Sequence, residues 1–259
     1  MSRFRGLLLA SLFSLSLPAA KGEAHCPGNV ISLTLRLVQS SLIVVPVEIN
    51  HSGPYDFVVD TGAQVTTVEP TLAAELSLKV QGTTGVGGVA TYARTAFAYL
   101  DALEAGRHSV PNEIAVIQEL TQLKGADSRI RGILGANFLE HFDLLIDNGR
   151  HLLCLDESGA LASTIKGEHT PLAEPRGSVQ DLPFTRPLIV AARLSAGAAT
   201  PVLLRLDSGS NSPLLYTDHT LLRIESKGHS SILQRLAYGV KQSFAVLPPQ
   251  DVQIGTHAV

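Results

Sequence analysis

"YDFVVDTGAQVTTV", Tyr55 to Val68, runs an apolar strand straight into an aspartate and then into Thr61-Gly62-Ala63. An ionisable side chain placed where the chain reads as most buried calls for a reason. "LLRLDSGSNSPLLY", from Leu203, repeats the device with Asp207, Ser208 and Gly209. Each aspartate ends a strand held by the core, so its position is fixed and its carboxyl is partly desolvated. The glycine behind it lets the backbone reverse tightly and lets another chain approach. The small hydroxyl between them, on Thr61 or Ser208, can hydrogen-bond backbone across a symmetric neighbour.

The repetition extends beyond the aspartates. "TAFAYL" with Phe97 and "QSFAVL" with Phe244 stand at the same offset as Asp60 and Asp207. "EAGRHSV" around Gly106 matches "QIGTHAV" around Gly255 after a small drift, and "SLIVVPVEI" resembles "PLIVAARL" ahead of the two turns. Matches that keep their order imply two related lobes. The first continues through "RGILGANFLEHFDLLIDNGRHLLCL", whereas the second reaches only "GTHAV", so the second is expected to be incomplete.

Patterning of period two dominates, which makes the chain mostly β. Ile31, Leu33, Leu35 and Leu37 alternate with polar residues as one half-buried strand; Val45, Val47 and Ile49 form another, followed by "HSGP" as a turn. Asn148-Gly149 between apolar runs predicts a hairpin with a type I′ turn, both central residues taking positive φ. Helical signals are short: "PTLAAELSL" from Pro70 and "ANFLEHF" from Ala136. The expected division is a leader over 1–24, a first lobe over 27–156, a Gly-, Pro- and charge-bearing linker over 157–186, and a second lobe over 187–259.

At 259 residues the chain has room for one large domain or two modest ones; 45% apolar and 17% charged residues exclude a disordered chain. The net charge is -3 and the basic residues are scattered, so neither nucleic acid nor a basic membrane surface is indicated. Arg3 and Arg5, then an apolar run from Gly6 to Leu17 too short to span a bilayer, then small residues, read as a secretory signal. An exported protein, periplasmic or secreted and without stable membrane association, is expected. Cys26 and Cys154 either pair in that oxidising compartment or stand as independent thiols. The nine histidines show no metal-ligand spacing, and no Gly-x-Ser-x-Gly is present; no metal and no cofactor are expected.

Two carboxylates brought face to face do not both ionise easily, so the pair tends to hold one proton. The ionised member can take a proton from water while the other polarises a peptide carbonyl, which is general acid–base hydrolysis without metal or covalent intermediate. "VVDTGA" and "LRLDSGS", with "GILGANFL", resemble the turns of pepsin- and retropepsin-type aspartic peptidases, in particular bacterial two-lobed retropepsin-like members. The resemblance implies an all-β fold with an acid-protease-type barrel in each lobe and a peptide cleft between. It implies catalytic Asp60 and Asp207, supporting Thr61, Gly62, Ser208 and Gly209, and Ile133-Leu134-Gly135 passing behind the first turn. It also implies a flap over Gln81 to Ala93, carrying Gly85, Gly87 and Gly88. The partner would be a peptide or protein substrate, handled by a monomer or by a homodimer that joins two copies of Asp60. Arg205 departs from the pattern: strand alternation puts it on the face of Asp207, unless the strand end twists it to solvent. With the short second lobe, it keeps an inactive peptide-binding module as the alternative.

Overall fold

The computed structural model describes residues 25–27, 30, 32–87, 92–173, 187–195, 201–210, 213–214, 232–237, 240–245 and 249–258. The expected leader, residues 1–24, and residues 174–186 of the expected linker lie outside them. In chain order the strands are β1 (Ser32–Leu33), β2 (Arg36–Val38), β3 (Leu42–Ile49), β4 (Ser52–Val59), β5 (Thr66–Val68), β6 (Val80–Gly87), β7 (Tyr92–Ala105), β8 (His108–Ile117), β9 (Ile130–Leu134), β10 (Asp143–Asp147) and β11 (Leu152–Asp156). Then follow β12 (Ile189–Leu194), β13 (Val202–Arg205), β14 (Ile232–Ala237), β15 (Val240–Ala245), β16 (Val252–Ile254) and β17 (His257–Ala258). Four short helices accompany them among the described residues: α1 (Pro70–Glu75), α2 (Thr121–Ala126), α3 (Ala136–Leu139) and α4 (Ala160–Thr164). The fold is all-β. Among the described residues no helix is long and apolar enough to cross a membrane.

Strand β3 pairs on one side with β4, Val44 opposite Val58, and on the other with the end of β7, Val47 opposite Ala105. The order β3-β4-β9-β5-β8-β7 therefore closes on itself as a six-stranded barrel. Alternation fills it: Ile43, Val45, Val47 and Ile49 point inward with Phe57, Val59, Leu100, Leu103 and Leu134. The other face of the same strands, Leu42, Val44 and Val58, packs with Ile130 under Leu123 and Ala126 of α2. Both faces of β3 are thus covered, which is why its sequence is nearly continuous in apolar residues. Helix α2, "TQLKGA", was not legible in advance because it is short and holds a glycine.

Several expectations are corrected. The strand predicted from Ile31 to Leu37 is cut in two, with Ile31 outside the described residues: β1 joins β11, and β2 joins β3. The turn expected at "HSGP" falls earlier, at Asn50 and His51, whose φ of 51° and 63° give the positive-φ pair that Asn148-Gly149 was predicted to provide. Ser52, Gly53 and Pro54 already lie in β4, and Gly53 takes φ +139° at a bulge where any side chain would press on the Val47 carbonyl. Between β10 and β11 the loop is four residues long, with Asp147 Oδ1 accepting from the Arg150 N–H at 2.9 Å and positive φ only at His151. Asp147 supplies as a side-chain acceptor what the tight turn would have supplied by backbone. Finally, the barrel does not take in all of 27–156. β10 and β11 form a separate sheet with β1, and Cys26 is bonded to Cys154 there, with Cα atoms 5.9 Å apart.

The later strands repeat the pairing scheme of the earlier ones. β12 pairs with β13 as β3 pairs with β4, and with β16 as β3 pairs with β7. Hairpins β7–β8 and β16–β17 turn on the matched Gly106 and Gly255, at φ 62° and 59°. β14–β15 forms a hairpin in the order that β6–β7 holds earlier.

Candidate active site

Asp60 leaves β4 at the point where β9 runs parallel beside it. Val58 lies opposite Ile133 and Val59 opposite Leu134, and the Asp60 N–H donates to the Leu134 carbonyl at 3.1 Å. Ile133 also pairs with Thr67 of β5, so β9 separates the strand that enters the turn from the strand that leaves it. Ile133, Leu134 and Gly135 thus pass behind the first turn. Gly135 has no room for a side chain, because a methyl there would stand 2.6 Å from the Val65 carbonyl carbon.

The turn folds over its own carboxylate. Asp60 Oδ1 accepts from the N–H groups of Gly62 at 2.8 Å and Ala63 at 3.0 Å, and Asp207 Oδ1 accepts from Gly209 at 2.9 Å. The two turns then bind each other reciprocally. Thr61 Oγ1 donates to the Leu206 carbonyl at 2.9 Å and accepts from the Ser208 N–H at 3.0 Å. Ser208 Oγ donates to the Val59 carbonyl at 2.9 Å and accepts from the Thr61 N–H at 3.1 Å. Each hydroxyl reaches the carbonyl just before the opposite aspartate, so the pair is nearly two-fold. A methyl on Gly62 would collide with the Asp207 carboxyl, and one on Gly209 with the Asp60 carboxyl. The glycines are what let the carboxyls meet.

The symmetry stops at the environment. Asp60 is half-buried and Asp207 is exposed. Burial first, then the charge of Asp207 and a hydrogen bond to it, push the Asp60 carboxyl up to about 6, against the pull of the Gly62 and Ala63 N–H groups. Arg205 is exposed, and among the described residues it forms no ion pair with Asp207. Its counterpart Val58 faces outward under α2; the matching face of β13 is open, so a guanidinium suits it.

The glycine-rich stretch forms the hairpin β6–β7, with Gly85 opposite Arg94 and Gly87 opposite Tyr92; Gly88 lies outside the described residues. Two of its glycines seat aromatic rings: Tyr92 lies over Gly85, and Phe97 sits 3.0 Å from where a Gly82 side chain would begin. Sequence reasoning missed three residues behind the site, Thr66, Glu113 and Asn137. The one available signal was an amide inside the apolar "GANFL".

Residues 45–138, most of the closed barrel with Asp60 and the strand behind it, match the family described as aspartyl protease. Matching solved structures include a retropepsin-like aspartic protease from Rickettsia conorii, at 21% identity and a TM-score of 0.36, over 48% of this chain and 88% of that one. No curated protein matches the chain.

Proposed function

From an aspartyl protease barrel whose Asp60 faces Asp207, we propose that this protein is an aspartic endopeptidase that hydrolyses peptide bonds in peptides or proteins. The observation that carries the reading is the mutual fit of the two turns, each carboxyl lying where the other turn keeps a glycine. One proton shared by the pair gives a base to deprotonate water and an acid to polarise the scissile carbonyl. The elevated Asp60 carboxyl supports a pair that keeps that proton into mildly acidic solution, so activity declines as pH rises through about 6. The hairpin β6–β7 is assigned as the flap. Export to an oxidising compartment is part of the proposal, supported by the bonded Cys26 and Cys154.

The test is a pair of amide substitutions, assayed on denatured protein substrates. Asp60→Asn and Asp207→Asn should each lower kcat by about 10³-fold or more, because neither carboxyl can do the other's work. An Asp207→Asn protein that cleaves normally would replace the two-turn site with a homodimer built on Asp60. A wild type that binds a non-cleavable tetrahedral mimic yet cleaves nothing would make the protein a peptide-binding module.

A further inference from the structure

We infer that Asn137 is a positioning residue for the dyad, acting through Thr66 and Gly135; this rests on the peptidase reading above. Asn137 is buried, at 7% exposure, and its amide is fully engaged. Oδ1 accepts from the Thr66 N–H at 2.7 Å and the Thr66 hydroxyl at 2.9 Å. Nδ2 donates to Glu113 Oε2 at 2.5 Å and to the Ile114 carbonyl at 2.9 Å. Thr66 Oγ1 then accepts from the Gly135 N–H at 3.1 Å. Gly135 follows Leu134, whose carbonyl holds the Asp60 N–H. The backbone of the same helix start grips the far side of the turn, with the Ala136 N–H on the Ala63 carbonyl at 2.8 Å and the Asn137 N–H on Gln64 at 3.2 Å.

The amide cannot flip. A carboxylate accepts only and a backbone N–H donates only, so Glu113 and Thr66 fix which end of Asn137 faces which. What the amide adds is direction: it accepts from Thr66 at one end and donates to Glu113 and Ile114 at the other. It locks β5 to the β9–α3 junction at the position from which Asp60 is aimed. A one-ångström misplacement of a catalytic group costs on the order of 100-fold in rate.

This arrangement makes a distinctive variant possible. Asn137→Asp keeps both acceptor bonds to Thr66, but turns a carboxyl oxygen toward Glu113. The charged and titratable groups around it are Glu113 on β8 and Glu140 and His141 at the end of α3, with His141 Nε2 at 3.2 Å from Glu113 Oε1. Two carboxyls in contact hold together while they share a proton and repel once both ionise. Relative to wild type at each pH, kcat of Asn137→Asp should be near unity at pH about 4.5 and fall roughly 10- to 100-fold by pH about 7.5, with KM little changed. Adding Glu113→Gln restores a donor opposite the new carboxylate and should recover kcat at the higher pH. Amide exchange at Asp60 and Gly135 should accelerate and recover in parallel. A variant-to-wild-type ratio flat in pH overturns the inference, as does a double variant that regains its melting temperature but not its kcat. A wild type that cleaves no peptide overturns the peptidase reading instead; the exchange measurement then decides the positioning claim, and unchanged rates at Asp60 and Gly135 overturn it.

Discussion

Strands β4 and β13 deliver the same turn from opposite surroundings. β4 is flanked by β3 and β9, and Phe57, Val58 and Val59 are 0–1% exposed. β13 lies at the border of its sheet among the described residues, with Leu203 at 46% and Leu206 at 42% exposure. Yet Asp207 is met by the same reciprocal hydroxyl bonds as Asp60. Among the described residues the second turn is held to the first, through Thr61 Oγ1 on Leu206 and Ser208 Oγ on Val59, and to its own sheet by the Leu206 N–H on the Leu188 carbonyl at 2.8 Å. One aspartate is set by its own closed barrel; the other shares its support across the pair.

The largest effects should come from the two glycines that let the carboxyls meet. Gly62→Ala and Gly209→Ala should each reduce kcat by about 100-fold or more, since either methyl must displace the opposite carboxyl. Equal losses would mean that the pair works as a unit. A mild loss at Gly209 alone would mean that the exposed turn yields to make room, which sharpens the contrast.

Core truncation should separate the halves next. Phe57→Ala, which empties a fully buried ring from the closed barrel, should cost about 3–5 kcal/mol. Leu194→Ala, in the small cluster with Ala192 and Val202, should cost about 2 kcal/mol, at the low end for leucine. Urea denaturation of each variant measures both. A costlier Leu194→Ala would reverse the ranking of the two cores.

The smallest effect concerns stability against pH. The Asp60 carboxyl is raised from 3.8 to about 6 in the folded state, so folding is favoured by the retained proton below that range. That contribution is lost as pH rises through about 6. Asp60→Asn carries no such group, so its melting temperature relative to wild type should climb from pH about 4 to about 6 and then level. In an Asp207→Asn background the climb should shrink, because the charge and hydrogen bond of Asp207 help raise Asp60. A difference that stays level across this range would remove the burial asymmetry from the account.

The sequence alone determined the repeated aspartate turn, the all-β character and the segment behind the first turn. Each is encoded locally: alternation marks a strand, and Asp-Thr/Ser-Gly after an apolar run marks a fixed, tightly reversing carboxyl. Turn placement was less legible. Asn50-His51 takes the positive-φ pair that Asn148-Gly149 advertised, because strand register with β4 decided where each hairpin closes. The cut between β1 and β2 is likewise a tertiary choice, made by which sheet had an open edge beside each piece. Only the folded chain could set the unequal burial of Asp60 and Asp207, and only it could bring Asn137 between Thr66 and Glu113. Those contacts join residues from β5, β8 and α3, and no spacing in the sequence carries the distance between strands that meet only when the barrel closes.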